Sequence, residues 1–255
     1  MSSTPKSSQS KMLSILDLFT ADDPSWSAEG IATRIGCSAP TSYRYLRELV
    51  SAGLLMRSGS GNYSLGPRII TLDYQLRITD PYYAAGQPLM AALSARTGLD
   101  CVMTRLFDEE IIDTHRESGS DSLNLAYGRG RHRPLFKGAA PKVILSTLPK
   151  SKLQRIYQNH SPELQASTPA ITWETFWSTL QQTRKMGYYL SKGELEQDVG
   201  AIAVPFYGDT THAIGALALV VPILRIDLMN YEKLLDLLVA TARDLTSSAQ
   251  PKAIS

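Results

Sequence analysis

The sequence predicts an α+β protein with an N-terminal winged helix-turn-helix, a linker helix and a larger C-terminal domain built on an antiparallel sheet. Short helical patterns followed by a glycine-rich hairpin occupy residues 10–66, which is typical of a winged helix. Beyond residue 81, strand patterns are grouped in hairpins between helical patterns, which favours an antiparallel sheet covered by helices. A chain of 255 residues is long enough for these two domains.

The composition is that of an ordinary globular protein. Apolar residues make up 43% and charged residues 20% of the chain, and no apolar run approaches the ~18 residues of a membrane span. Cys37 and Cys101 lie far apart, and the 4 histidines lack metal-ligand spacing. We therefore expect no metal site and no cofactor, and a location in the reducing cytoplasm.

Three short helices are predicted before residue 54, the first of them along an apolar stripe close to the N-terminus. Ser27 is placed to cap the second helix, and Gly36 to end it in a left-handed conformation. Ser38 is placed to cap the third helix, and Val50 belongs to the predicted buried stripe of that helix. Two short helices, a tight glycine-containing turn and a third helix with a polar outer face predict a helix-turn-helix.

Positive charge is concentrated around the third helix. Residues 31–72 contain five arginines and a single acid, Glu48. A basic face of this kind is expected where a protein contacts phosphates, although on charge alone a solvated helix face is equally compatible. The five arginines are Arg34, Arg44, Arg47, Arg57 and Arg68.

The third helix is predicted to enter the major groove of DNA, with the hairpin as a wing beside it. Residues near the helix start would contact backbone phosphates. Residues on the outer face of the helix would contact base edges or flanking phosphates, and residues of the wing would contact an adjacent groove. In chain order the candidates are Thr41 and Ser42, then Tyr43, Arg44 and Arg47, then Arg57, Ser60 and Asn62. Tyr45 lies next to apolar residues and is expected to pack in the core instead.

A helix predicted over residues 67–80 is apolar on two opposed sides. One side carries Ile69, Leu72 and Leu76, and the other carries Ile70, Tyr74 and Ile78. Such a helix must be covered from both sides, so we expect it to pack on its own domain and on a partner subunit.

The remaining sequence predicts strands and helices in turn. Strands are predicted as a hairpin over 100–118, a third strand over 123–130 and a second hairpin over 201–221. Helices are predicted at 139–148, 151–160 and 172–186, and a long amphipathic helix ends the chain.

Three segments, in this order and at this spacing, resemble the IclR-type bacterial transcription regulators. They are SAEGIATRIGCSAPTSYRYLRELVSAGLL with the wing GNYSLGPRIITL, GRGRHRPLFKGAAPKVILSTLP, and RKMGYYLSKGELEQDVGAIAVPF with ALALVVP behind it. The resemblance implies a winged helix-turn-helix over 10–66, a linker helix over 67–80 and a GAF-like effector-binding and oligomerisation domain over 81–248, between tails at 1–9 and 249–255. It also implies a homodimer, often a dimer of dimers, that binds a palindromic operator in double-stranded DNA.

The resemblance further implies a pocket for a small-molecule effector in the C-terminal domain. The implied wall residues are Leu135, Phe136, Ser191, Val199, Ala201, Ala218 and Val220, and Tyr127 is a further candidate for binding the effector. The family commonly has polar side chains or cysteine where this chain has Phe136, Ala201, Ala218 and Val220. A ligand with a substantial apolar or aromatic body is therefore expected.

A basic loop over 129–137 adds a candidate anchor for a carboxylate. Arg131 and Arg133 are candidates to clamp such a group through bidentate hydrogen bonds. A solvated basic loop is the alternative, because exposed cations are common and contribute little to stability.

Together these features predict a ligand-responsive, DNA-binding transcription regulator of a catabolic operon, with a small aromatic acid as effector. The sequence has no GxSxG elbow, and GRGRHR lacks the third glycine of a dinucleotide-binding loop. We therefore expect no catalytic residues and no enzyme. Two alternatives stay open at this point: a small-molecule-binding protein whose winged domain does not bind DNA, and an enzyme built on the C-terminal domain.

Overall fold

The computed structural model describes residues 7–120, 128–160, 164, 170–208, 211–226 and 228–249. The chain divides between Thr79 and Asp80 into two compact units. The helix predicted as a linker belongs to the first unit.

The first unit is a winged helix-turn-helix followed by one further helix. Its elements are α1 (Ser8–Leu13), a 3₁₀ turn (Leu16–Leu18), α2 (Ala28–Ile35), α3 (Ala39–Ser51), β1 (Leu55–Arg57), β2 (Tyr63–Leu65) and α4 (Arg68–Thr79). Helix α1 begins inside the segment predicted as a tail, because the Ser7 hydroxyl accepts a hydrogen bond from the Ser10 amide and caps the helix. Strands β1 and β2 pair antiparallel and form the predicted wing.

A small apolar core joins α2, α3 and the wing. Leu46 and Leu55 are buried in it. Trp26 connects the wing to the helices, since its amide donates to the Tyr63 carbonyl and its carbonyl accepts from the Tyr63 amide. Val50 is 37% exposed, contrary to the predicted buried stripe, because it lines the groove between α3 and the wing.

The second unit is a five-stranded antiparallel sheet with helices packed on it. Its elements are α5 (Pro81–Thr97), β3 (Asp100–Phe107), β4 (Glu110–Glu117), α6 (Ala139–Ser146), α7 (Lys150–Asn159), α8 (Trp173–Met186), β5 (Tyr189–Lys192), β6 (Val199–Tyr207), β7 (Ala213–Pro222), α9 (Ile223–Ile226) and α10 (Tyr231–Ala249). The strands lie in the order β4-β3-β7-β6-β5, and every neighbouring pair is antiparallel. The predicted α+β class is confirmed.

The sheet differs from the prediction in two places. Strand β5 has no counterpart in the predicted elements, because its four residues follow a helix directly and alternate too briefly to be recognised. The strand predicted over 123–130 lies mostly outside the described residues. Its described end turns back, with the Arg131 amide bonded to the Gly128 carbonyl, and a bridge then joins His132 to Ile112 of β4.

Large and small side chains are segregated on the two faces of the sheet. Along β6, Ile202, Val204 and Phe206 belong to the core shared with α5 and α10. Ala203, and Ala218 of β7, belong instead to the core shared with α6, α7 and α8. The alanines leave space between the sheet and α6 that larger residues would fill, and a pocket lies beside them.

Candidate DNA interface and effector pocket

The helix-turn-helix is held together by a capped helix start, a glycine turn and one buried hydroxyl. The Ser27 hydroxyl accepts from the Gly30 amide, and Gly36 ends α2 with φ 64°, a value that favours glycine. Ser42 is fully buried and its hydroxyl donates to the Ala28 carbonyl at 3.1 Å, which ties α3 to α2. The predicted phosphate contact of Ser42 is therefore wrong, because this hydroxyl is buried and already bonded. Tyr45 is buried, as the sequence predicts.

The outer face of α3 presents Tyr43, Arg44 and Arg47. Tyr43 is 49% exposed, and its hydroxyl donates to the Glu29 carboxylate at 2.9 Å. A backbone hydrogen bond, with a further contribution from the Tyr43 hydroxyl, lowers the pKa of Glu29, so the carboxylate is charged when it accepts this bond. Thr41, nearer the helix start, is half-buried and shares a hydrogen bond with the Ser38 hydroxyl.

A groove of about 600 Å³ runs between α3 and the wing. Arg44, Arg47 and Arg57 all line it, together with Tyr43 and Tyr63. The structure thus brings three of the predicted DNA-contacting arginines to one concave surface. Arg47 also forms an ion pair at 3.5 Å with its exposed neighbour in the chain, but a pair so open to solvent holds the side chain only weakly.

The wing tip carries hydroxyl and amide groups. Ser58 and Ser60 share a hydrogen bond between their hydroxyls, and Asn62 closes the turn through its carbonyl, which accepts from the Ser58 amide at 2.7 Å. Gly61 adopts φ 86° at this turn. Ser60 is exposed and Asn62 is half-buried, so both predicted wing contacts lie at the tip.

The second unit contains a pocket between the sheet and the start of α6. Its enclosed volume is about 40 Å³. Six of the predicted effector residues line it: Arg133, Ser191, Val199, Ala201, Ala218 and Val220. The sequence interpretation missed Thr104 and the Gly138–Pro141 segment, which also contribute to the lining. The Gly138–Pro141 segment could have been found from the sequence, since a glycine before the start of a helix leaves backbone amides exposed for binding.

The other predicted effector residues lie elsewhere. Arg131 is exposed and is absent from the lining of this pocket. Leu135 and Phe136 are buried in the core with Phe176, whose ring meets that of Phe136 edge-on at 5.2 Å. Neither residue lines the pocket beside α6, and Phe136 instead lines a separate cavity with Lys142 and Phe176. Their role as walls of an effector site therefore stays a prediction. Tyr127 lies outside the described residues.

Arg133 is engaged by a buried carboxylate. Its Nε lies 2.8 Å from each carboxylate oxygen of Asp113, and the Thr104 hydroxyl donates to the same carboxylate at 2.8 Å. The Asp113 side chain is fully buried, and burial raises its pKa while the Arg133 guanidinium opposes that rise. The positive charge of Arg133 is therefore balanced by Asp113 where Arg133 lines the pocket. It should bind a ligand carboxylate more weakly than an arginine without such a partner.

A second polar cluster lies beside the pocket lining. Glu194 accepts hydrogen bonds from the Gly138 amide, the Tyr189 hydroxyl and the Lys142 ammonium group. Burial is the main cause that raises the pKa of Tyr189, so its hydroxyl stays protonated at neutral pH. The cluster connects the loop after β5 to the start of α6. The four residues are dispersed along the sequence, so local patterns could not have assembled them.

Within the described residues, no group of three or more His, Cys, Asp or Glu side chains is arranged to hold a metal ion. Among the same residues, no helix is long and apolar enough to cross a membrane.

Comparison with known proteins identifies both units. Residues 8–59 match the IclR helix-turn-helix domain, and residues 82–247 match the domain described as bacterial transcriptional regulator IclR C-terminal. The HTH-type transcriptional regulator XynR of Escherichia coli is 27% identical over 219 residues, which cover 85% of this chain and 86% of XynR. The Pca operon regulatory protein of Acinetobacter baylyi is 28% identical over 244 residues, covering 92% of this chain and 86% of that protein.

Solved structures share the fold across the chain. An IclR transcriptional regulator from Alicyclobacillus acidocaldarius has a TM-score of 0.80 at 23% identity, covering 97% of this chain and 99% of its own. An IclR homolog from Microbacterium hydrocarbonoxydans, crystallised with 4-hydroxybenzoate, has a TM-score of 0.80 at 20% identity, covering 95% and 99%. XynR is described as a transcriptional regulator and the Acinetobacter protein as an operon regulatory protein. The chain belongs to the IclR family of bacterial transcriptional regulators and is itself a DNA-binding regulator of transcription.

Proposed function

We propose that the protein controls a catabolic operon in the cytoplasm by binding a palindromic operator as a homodimer or dimer of dimers, in response to a small aromatic acid. In this proposal residues 10–66 bind DNA, residues 67–80 form a helix that connects the two domains, and residues 81–248 bind the effector. The observation that carries the DNA-binding part is the groove lined by Arg44, Arg47 and Arg57.

The groove has the chemistry that a DNA duplex requires. An α-helix fits the major groove, and arginine reads guanine through paired hydrogen bonds. Arg44 and Arg47 lie on α3 and Arg57 at the end of β1, so a duplex seated on α3 would meet positive charge from both elements. Thr41 near the helix start and Ser60 at the wing tip would then bind phosphates on either side.

Selection of bound fragments from random double-stranded DNA tests this part. We expect the full-length protein to enrich an inverted repeat, and its affinity to fall steeply with salt as phosphate contacts are screened. Enrichment of no sequence, or affinity independent of salt, would contradict a DNA-reading role for α3.

The effector assignment is supported by the pocket walls and by one structural neighbour. Val199, Ala201, Ala218 and Val220 make the walls largely apolar, and Ser191 supplies a hydroxyl. The Microbacterium homolog of the same fold was crystallised with 4-hydroxybenzoate. A benzoate-type acid combines an apolar ring with a carboxylate, which matches such a lining.

The pocket must open before it can accept such a ligand. Its enclosed volume of about 40 Å³ has room for a few water molecules only. Leu195 and Glu196 line the pocket from the loop between β5 and β6, so this loop is the part that we expect to move. An equilibrium between closed and open loops would let the acid select one conformation and thereby change operator affinity.

Calorimetry with 4-hydroxybenzoate tests the pocket. Ala201→Leu should abolish the binding heat, because it fills the cavity, and operator affinity should stop responding to the acid. Ala240→Leu is the matched control, since Ala240 is exposed on α10 and is absent from the lining of this pocket. Equal binding by native protein and Ala201→Leu would exclude this pocket as the effector site.

The homodimer is proposed from the exposed apolar surface of α4. Ile70 is 75% and Leu76 is 61% exposed, and Leu72, Tyr74 and Ile78 are also exposed. Apolar side chains concentrated on one helix mark an interaction surface. We propose that the same helix of a second copy covers this surface. A palindromic operator requires a two-fold symmetric protein, because only such a protein presents two equivalent recognition helices.

A further inference from the structure

We propose that a groove beside helix α10 is a second ligand site in the effector-binding unit, selective for small amphipathic anions such as aryl sulfonates or arylalkyl carboxylates. The groove has a volume of about 460 Å³ and lies between the turn after α8, the end of β6 and α10. It shares no lining residue with the pocket proposed for the effector.

The groove exists because β5 is shorter than β6. Strand β5 covers β6 only between Gly200 and Ala203, and Val204–Tyr207 continue beyond it. Pro205 has no amide hydrogen to offer at this edge, and the Tyr207 amide is satisfied by the Thr246 hydroxyl of α10 at 3.2 Å. The edge is therefore closed by a helix in place of a strand, and space is left between them.

Helix α10 supplies one continuous wall. Its lining residues follow helical spacing along a single side and are Leu235, Val239, Ala242, Arg243, Thr246 and Ser247. Met186 and Tyr188 at the turn after α8 form the opposite wall. The volume lies within the ~300–1,000 Å³ range of small-molecule sites, and its lining combines apolar walls with few polar groups, as such sites do.

Charge indicates an anion as the ligand. Arg243 lines the groove, is exposed and forms no salt bridge with the described residues, while no carboxylate belongs to the groove lining in that part of the chain. Burial raises the pKa of Tyr207, although nearby Arg184 opposes the rise, so its hydroxyl remains a hydrogen-bond donor at neutral pH. A guanidinium and a phenol beside apolar walls suit a ligand with a ring or chain at one end and an acid at the other.

Titration of the full-length protein with anilinonaphthalene sulfonate tests the site. This aromatic anion becomes fluorescent in apolar surroundings and combines the two features that the groove would select. Val239→Trp should weaken binding by about tenfold or more because the indole occupies the groove. Arg243→Gln should weaken it by about threefold because the exposed charge pair is lost.

The controls separate this site from the rest of the protein. Ala240→Trp and Lys233→Gln introduce the same two side chains at exposed positions of α10 that do not line the groove, and both variants should bind the probe like native protein. Ala201→Leu should also leave probe binding intact, even if it abolishes the response to 4-hydroxybenzoate.

Two outcomes would overturn the site. One is unchanged affinity in both Val239→Trp and Arg243→Gln, and the other is an equal loss in Ala201→Leu or Ala240→Trp. If Val239→Trp fails to fold by circular dichroism, Arg243→Gln decides alone, since it alters only an exposed side chain.

Discussion

Arg44 lies on α3, is exposed, and lines the groove together with Arg47 and Arg57. We expect Arg44→Gln to weaken operator binding by about 1–3 kcal/mol and, if the contact is to phosphate, to reduce the slope of affinity against salt by about one. Fluorescence anisotropy at several salt concentrations measures both quantities. Lys185→Gln on α8 is the control for loss of one charge, because it lies outside the DNA-binding unit.

Retention of full affinity and salt slope by both Arg44→Gln and Arg47→Gln would show that α3 does not meet the duplex. A loss of affinity that is equal for all DNA sequences would assign these arginines to phosphates, whereas a loss confined to the operator would assign them to bases.

Asp113 supports the pocket proposed for the effector by its ion pair with Arg133, which lines that pocket. Asp113→Asn should lower the free energy of unfolding by about 3 kcal/mol, because it leaves the Arg133 charge largely buried without its partner. Urea denaturation of the full-length protein measures the change. Adding Arg133→Met to Asp113→Asn should recover part of the loss, since the unpaired charge is then gone; a further loss of similar size would contradict this explanation.

The sequence predicts the position of a side chain correctly where its exposure follows the helical pattern. It fails where a contact with a distant part of the chain determines whether the side chain is buried. The pattern located Arg44 and Arg47 on the outer face of α3, and both are exposed there. Ser42 is predicted to meet a phosphate because it lies near the helix start, but its hydroxyl makes a buried hydrogen bond to the Ala28 carbonyl that no local pattern reveals. Asp113 was missed for the same reason, because its arginine partner is 20 residues away.

At the scale of elements, helix caps show how far local sequence determines the hydrogen bonds at a helix start. Ser27 and Ser38 both occupy predicted capping positions, yet only the Ser27 hydroxyl bonds a helix amide, while Ser38 bonds the Thr41 hydroxyl. Ser27→Ala should cost about 1 kcal/mol of unfolding free energy, and Ser38→Ala clearly less. Thermal unfolding followed by circular dichroism compares the two, and equal losses would mean that the Ser27 bond adds nothing.

Long elements were predictable and short ones were not. The helices at α6, α7 and α8 agree with the sequence pattern within a few residues, because each carries several turns of apolar periodicity. Strand β5 is only four residues long and depends on its pairing with β6, which is a non-local contact. The pocket proposed for the effector and the groove beside α10 both border this strand or the residues next to it, so they too were beyond local patterns.

At the scale of the whole molecule, the order of the two units was evident from the sequence because their patterns differ. Helices with a basic face precede residue 80, and hairpins with helices follow it. The proposed assembly of copies needs an apolar surface that can be covered by a partner. Helix α4 offers such a surface, since its exposed apolar residues lie on more than one side and include Ile70 and Leu76.

Ile70→Glu combined with Leu76→Glu should therefore separate the proposed dimer. Because Ile70 and Leu76 lie on the two apolar sides of α4, whichever side meets the partner would bury a carboxylate, and burying an unpaired charge costs more than a single helix contact contributes. Native mass spectrometry should show a shift to the mass of one chain, and operator binding should weaken because each recognition helix then binds its half-site alone. Thr71→Glu with Gln75→Glu adds the same charge to exposed polar positions of α4 and serves as the control. Loss of assembly in the control as well, or a dimer that survives the first pair of substitutions, would place the subunit interface away from the apolar sides of this helix.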